Sequence, residues 1–129
     1  MARIVLADDD PIFRLSVGEY LRTAGHEVFD AENGVVALDA VRSKSPDLLI
    51  LDMLMPEKDG LEVILELRAA GVTLPILAVS SGGRMDTQSL LRPASAFGAS
   101  AVMSKPLLRE PLLNAVEGVL DNRRTSQTP

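Results

Sequence analysis

Short stretches of this chain are apolar at every position: Ile4-Val5-Leu6-Ala7, Leu48-Leu49-Ile50-Leu51, Ile76-Leu77-Ala78-Val79 and Ala101-Val102-Met103. Runs this short and this uniformly apolar read as strands buried on both faces, as in a parallel sheet. A further segment, Glu27-Val28-Phe29-Asp30-Ala31, mixes polar and apolar positions and suits an edge strand. Between the runs, apolar residues recur at helical spacing. Phe13, Val17, Tyr20, Leu21 and Ala24 form one stripe; Gly34, Ala37, Leu38 and Val41 a second; Leu61, Ile64 and Leu65 begin a third; Leu112, Val116, Val119 and Leu120 form the last. Asp10-Pro11 has the form of an N-cap followed by proline at the first helical position. Gly25, Gly71 and Gly98 stand where left-handed helix C-caps are expected. Pro93 interrupts the apolar stretch from Leu90 to Phe97, so the helix before the last strand is expected to start near Pro93 or to be broken.

Alternating strands and helices predict a parallel sheet with helices on both faces. Right-handed crossovers leave few topologies. The expected fold is α/β and flavodoxin-like: a doubly wound five-stranded parallel sheet of order 2-1-3-4-5, with a Rossmann order as the alternative that pattern alone leaves open.

The length of 129 residues suits one domain. A chain this long buries roughly two-thirds of the surface it exposes when unfolded, enough to fold without disulfides or a structural metal. The expected boundaries are a folded unit over 1–122 and a polar, frayed tail over 123–129. With no cysteine, disulfide frameworks, thiolate zinc sites and cysteine nucleophiles are excluded. No apolar run reaches membrane-spanning length and no signal-peptide pattern opens the chain, so no membrane insertion and a cytoplasmic location are expected. A net charge of −5 and few aromatics argue against direct nucleic-acid binding and favour a divalent cation or a basic protein surface.

In open α/β sheets, ligands bind beyond the carboxyl ends of the strands, at the switch point of strand order. There the chain places Asp8-Asp9-Asp10 after strand 1, Asp52 after strand 3, Ser80-Ser81 after strand 4 and Ser104-Lys105-Pro106 after strand 5. Taken singly, each has a plainer explanation: Asp10 an N-cap, Asp52 a loop-opening residue, Ser80 a turn hydroxyl, Lys105 a solvated charge. Taken together they do not, because carboxylates crowded at adjacent strand ends repel unless a cation lies among them. Oxygen ligands without His or Cys point to Mg²⁺ or Mn²⁺. A metal beside a carboxylate, a hydroxyl and a lysine suits formation of an aspartyl phosphate. The backbone N–H groups of Met53 and of the Gly82-Gly83 loop are expected as further donors.

With these residues in place, the chain resembles the receiver domain of bacterial two-component response regulators. Ile4-Val5-Leu6-Ala7-Asp8-Asp9-Asp10-Pro11 resembles that family's acidic-pair segment, and Asp52-Met53-Leu54-Met55-Pro56-Glu57-Lys58-Asp59-Gly60 its phosphoacceptor loop. Ser80 stands where the family has Thr or Ser, and Gly98-Ala99-Ser100 with Lys105-Pro106 resembles its fifth-strand signature. The resemblance covers about residues 3 to 121. It implies that Asp52 is the phosphoacceptor. It further implies that Asp9, Asp52 and the backbone carbonyl of Leu54 ligate Mg²⁺, with Asp8 acting largely through water. Lys105 would contact the phosphoryl group, Ser80 would close over it, and the Lys105–Pro106 bond would be cis. The donor it implies is a phosphohistidine on a sensor histidine kinase or histidine phosphotransfer protein. Its downstream target would be another, unidentified protein, served by a stand-alone receiver as effector or as phosphorelay intermediate. The family also catalyses its own dephosphorylation.

The chain departs from the family pattern in three places. Val102 occupies the position of the family's switch aromatic, so an aromatic flip coupled to Ser80 is not expected. The stretch from Ser80 to Lys105 is longer than usual, with the extra length near Ser81-Gly82-Gly83-Arg84. Leu54 cannot orient a water as a polar side chain would, which implies slow self-dephosphorylation. Competing functions fare less well. A haloacid-dehalogenase-like phosphatase needs a second Asp where Leu54 stands. A pseudo-receiver working without phosphorylation would have little reason to keep Asp8, Asp9, Asp52, Ser80 and Lys105 together. His26, the only histidine, is expected at the surface.

Overall fold

The computed structural model describes residues 1–81 and 98–127. Strand and helix alternate along it as β1 (Arg3–Ala7), α1 (Pro11–Thr23), β2 (Glu27–Ala31), α2 (Gly34–Lys44), β3 (Leu48–Asp52), α3 (Gly60–Ala69), β4 (Ile76–Ser81), β5 (Ala101–Lys105) and α4 (Arg109–Gln127). All pairings are parallel and the order is β2-β1-β3-β4-β5, as the sequence predicted. The helix expected near Pro93 and the Gly82-Gly83 loop lie outside the described residues. α4 runs to Gln127, through much of the segment read as a tail.

Alternation along each strand divides the core in two. Val5, Ala7, Leu49, Leu51, Ile76 and Ala78 face α2 and α3, where Ala37, Leu38, Val41, Val63, Ile64 and Leu67 cover them. Ile4, Leu6, Leu48, Ile50, Leu77 and Val79 face α1 and α4, covered by Val17, Leu21, Leu112, Val116, Val119 and Leu120. The second and last predicted stripes are therefore buried as expected. The third is displaced: Leu65 is exposed, and Val63 and Leu67 join Ile64 inside.

The helix starts follow from their caps. The Asp10 carboxylate accepts from the Ile12 N–H at 2.9 Å, Asn33 from Val36 at 2.9 Å and Asp59 from Glu62 at 2.9 Å. Gly25, Gly71 and Gly98 have φ of 96°, 80° and 111°, the left-handed backbone expected of them.

Two expectations are corrected. β5, which the predicted order already places at the edge, is not buried on both faces as its apolar run suggested: its residues alternate between half-buried and exposed, and Val102 is 39% exposed. Its apolar run was too short to separate an edge strand from an inner one. His26 is buried: Nδ1 accepts from the Ala2 N–H at 3.1 Å, and Nε2 lies 3.6 Å from Glu117 Oε1 on α4. The chain N-terminus and α4 close over the start of β2, which no local pattern announces.

Candidate functional site

The acidic residues meet where β1 and β3 end side by side. Asp8 is still tied into the sheet, its N–H donating to the Ala31 carbonyl at 3.0 Å, and its side chain is fully buried. One of its oxygens, Oδ1, accepts from the Asp10 N–H at 2.8 Å, which turns the chain out of β1 and into α1. Asp52 is the last residue of β3 and is 3% exposed. Carboxylate oxygens of Asp8, Asp9 and Asp52 lie within 4.8 Å of one another.

Lys105, at the end of β5, reaches across to this cluster. Its Nζ lies 2.7 Å from Asp8 Oδ2 and 3.7 Å from Asp52 Oδ2, and the peptide bond that follows, Lys105–Pro106, is cis. Oδ1 of Asp52 accepts from the Leu54 N–H at 3.1 Å, which leaves Oδ2 as the oxygen turned toward the ammonium.

These surroundings set the charge state. Burial pushes the Asp52 carboxyl up from 3.8 to about 6; the Leu54 N–H opposes this, Asp8 adds to it, Lys105 opposes it and Asp9 adds to it. Burial disfavours the charged Lys105, but its pairing with Asp8 and the charge of Asp52 prevail and hold its pKa above the usual 10.5. One ammonium cannot balance three carboxylates. Asp8 Oδ2 is buried and lies 2.7 Å from the Lys105 ammonium, which Asp52 Oδ2 shares at 3.7 Å. A set of hard oxygen donors whose charge the lysine leaves uncompensated fits a divalent cation.

The loop after Asp52 is shaped by close packing. A Cβ on Gly60 would lie 2.6 Å from the Asp52 carbonyl oxygen and 2.7 Å from Met53 Cα, so only glycine lets α3 start this near the end of β3. The Gly60 N–H donates back to the Met53 carbonyl at 3.2 Å, and Glu57 takes a left-handed φ of 70° to close the turn. On the other side, Arg14 of α1 donates from Nη1 to the Asp8 carbonyl at 2.5 Å, while its Nε lies 3.8 Å from Asp30 Oδ2.

The sequence and the fold of this chain have counterparts among known proteins. The model of the response regulator receiver domain matches residues 4–117. The chain belongs to this family.

Response regulator MprA from Mycobacterium tuberculosis (strain ATCC 25177 / H37Ra) is 40% identical over 123 residues, which is 95% of this chain and 51% of MprA. The chain thus spans about half the length of the curated relatives it matches. A putative response regulator from Chloroflexus aurantiacus superposes with a TM-score of 0.84 at 30% identity, covering 93% of this chain and 98% of the other. A CheY-like receiver domain protein from Methanospirillum hungatei gives 0.88 at 21% identity with 98% of each chain covered, a likeness of fold.

This receiver domain of a two-component system brings Asp8, Asp9, Asp52 and Lys105 together as the sequence predicted. Ser80 is buried at the end of β4 beside Ser104, one position past Val79, the residue in register with Asp52. The Met53 N–H is not the donor expected: it is spent on the Val79 carbonyl at 2.9 Å, extending the ladder one residue past β3. The Leu54 N–H faces the Asp52 carboxylate instead. Sequence reading also missed Arg14 and put Phe13 only in the helix stripe, although the Phe13 ring lies under Lys105. Their signal was present in the short step from Asp8 to the first turn of α1, but helical periodicity reports only burial. Among the described residues, no helix is long and apolar enough to cross a membrane.

Proposed function

We propose that this receiver domain is a phosphoacceptor: Asp52 takes a phosphoryl group from a phosphohistidine of a sensor histidine kinase or histidine phosphotransfer protein, and the modified domain changes its contacts with a downstream protein. The observation that carries this reading is the meeting of three carboxylates within 4.8 Å, with the Lys105 ammonium 3.7 Å from Asp52 Oδ2. An ionised Asp52 oxygen attacks phosphorus, a P–O bond forms, the P–N bond breaks, and the donor nitrogen keeps the electron pair. With its carboxyl at about 6, Asp52 is mostly ionised near neutral pH and ready to attack. Lys105 balances one phosphoryl oxygen and the Ser80 hydroxyl donates to another. Asp9, Asp52 and the Leu54 carbonyl would hold Mg²⁺, or Mn²⁺, with Asp8 through water; the ion would supply charge neutralisation to carboxylate and phosphoryl oxygens. The unit that does this is residues 1–122, working in the cytoplasm, with 123–129 not needed for it.

Beside Lys105, Ile12 and Leu108 are large, apolar and exposed. Exposed apolar side chains beside a reacting group suit a protein donor more than a small phosphate ester. The side chain of Leu54, a residue two positions past Asp52 and 40% exposed, offers no polar atom to align a hydrolytic water. A phosphoryl half-life of minutes or longer in Mg²⁺ is expected, and one of seconds would contradict this role for Leu54.

The deciding experiment is intact mass after incubation with acetyl phosphate and Mg²⁺. Wild type is expected to gain one phosphoryl mass, and Asp52→Ala or wild type in EDTA to gain none. No adduct on wild type, even with a cognate donor, would replace this reading by that of a pseudo-receiver that binds partners without phosphorylation.

A further inference from the structure

The Lys105 ammonium is held from two sides. Asp8 Oδ2 lies 2.7 Å from Nζ and Asp52 Oδ2 3.7 Å away, and on its other side the face of the Phe13 ring lies beneath it, 4.2 Å to the centroid. Phe13 stands in the first turn of α1 and packs against the core beneath that helix. Past the ring opens a groove of about 480 Å³, lined among others by Asp10, Ile12, Phe13, Tyr20, Lys105 and Leu108. Lys105 therefore borders two compartments: the buried carboxylates, and a groove that offers water and the exposed carboxylate of Asp10.

A lysine carries its charge on a flexible four-carbon stem. An aromatic face attracts an ammonium held over it, the more so when water is partly excluded. We propose that Phe13 is a positioning residue for phosphoryl transfer: its ring holds the Lys105 ammonium against the carboxylates and out of the groove. The inference rests on the phosphoacceptor reading. It assigns the site an aromatic from α1, while Val102 leaves β5 without one at the family's switch position.

The test compares wild type, Phe13→Leu and Phe13→Tyr, each checked for folding by thermal melt. Phosphoryl uptake from acetyl phosphate in Mg²⁺ is followed by intact mass, and the Lys105 ε-CH₂ resonances by NMR. In wild type and Phe13→Tyr the ring should move the ε-CH₂ protons upfield, with uptake rates within about twofold of each other. Phe13→Leu should lose the upfield shift and take up phosphoryl roughly two- to tenfold more slowly. If Phe13→Leu does not fold, Phe13→Met makes the same comparison. A Phe13→Leu rate equal to wild type overturns the inference, as does a Phe13→Tyr rate as low as that of Phe13→Leu. Wild type that takes up no phosphoryl overturns the phosphoacceptor reading itself, and this inference with it.

Discussion

At Asp52, burial and the carboxylates of Asp8 and Asp9 disfavour the charged form, while the Leu54 N–H and the Lys105 ammonium favour it, and the balance leaves the pKa near 6. Because this value is raised above that of the unfolded chain, the protonated carboxyl is the form the fold tolerates. The contribution is fully present below about 3.8, is lost as pH rises through about 6, and stays lost above it. In EDTA, Asp52→Asn should therefore be more stable than wild type at pH 7, by on the order of 2 kcal/mol. The gap should close as the pH falls toward 4. Urea denaturation of both proteins across this range checks it; a variant less stable than wild type at pH 7 would mean that the pairing with Lys105 outweighs burial. The stability given up at this residue is what makes a cation welcome there.

At the scale of elements, the site depends on how strands hand over to helices. β1 passes to α1 through the Asp8 and Asp10 carboxylates, and β3 passes to α3 through a loop that returns under Gly60. Gly60→Ala would push a methyl group against the backbone of Asp52 and Met53, which cannot rotate away. A loss of about 1–3 kcal/mol is expected, the usual cost of overpacking, together with a slower reaction at Asp52. Urea denaturation and acetyl phosphate uptake measure the two effects, and an alanine variant as stable as wild type would show that α3 can shift without cost. The strands themselves were largely legible, since β1 and β3 are apolar at every inner position. Their ends were less so: β3 takes in Asp52, β4 takes in Ser80 and Ser81, and β5 takes in Lys105, because ladder hydrogen bonds continue where hydrophobicity stops.

Across the whole molecule, two cores clamp one sheet and leave its carboxyl edge to carry the charges. Binding of a divalent cation to the folded state alone must stabilise it by mass action, about 2.7 kcal/mol at a concentration 100 times Kd. Mg²⁺ should thus raise the Tm of wild type by several degrees, EDTA should reverse the rise, and Asp9→Ala should abolish it. A Tm in Mg²⁺ equal to that in EDTA would leave the cluster as a structural feature without a cation.

The sequence by itself determined the parallel α/β architecture and the identity of the acidic cluster, and narrowed the strand order to a flavodoxin-like or a Rossmann one. Apolar runs of strand length alternating with helical stripes admit few right-handed windings, and ligand chemistry collects where those windings reverse. It did not determine what each group faces. That His26 is covered by Ala2 and α4, that the Met53 N–H is spent on Val79, and that Phe13 lies beneath Lys105 all depend on segments far apart in the chain. Periodicity records which side of an element is buried; only the packing of several elements at once decides which partner each buried group finds.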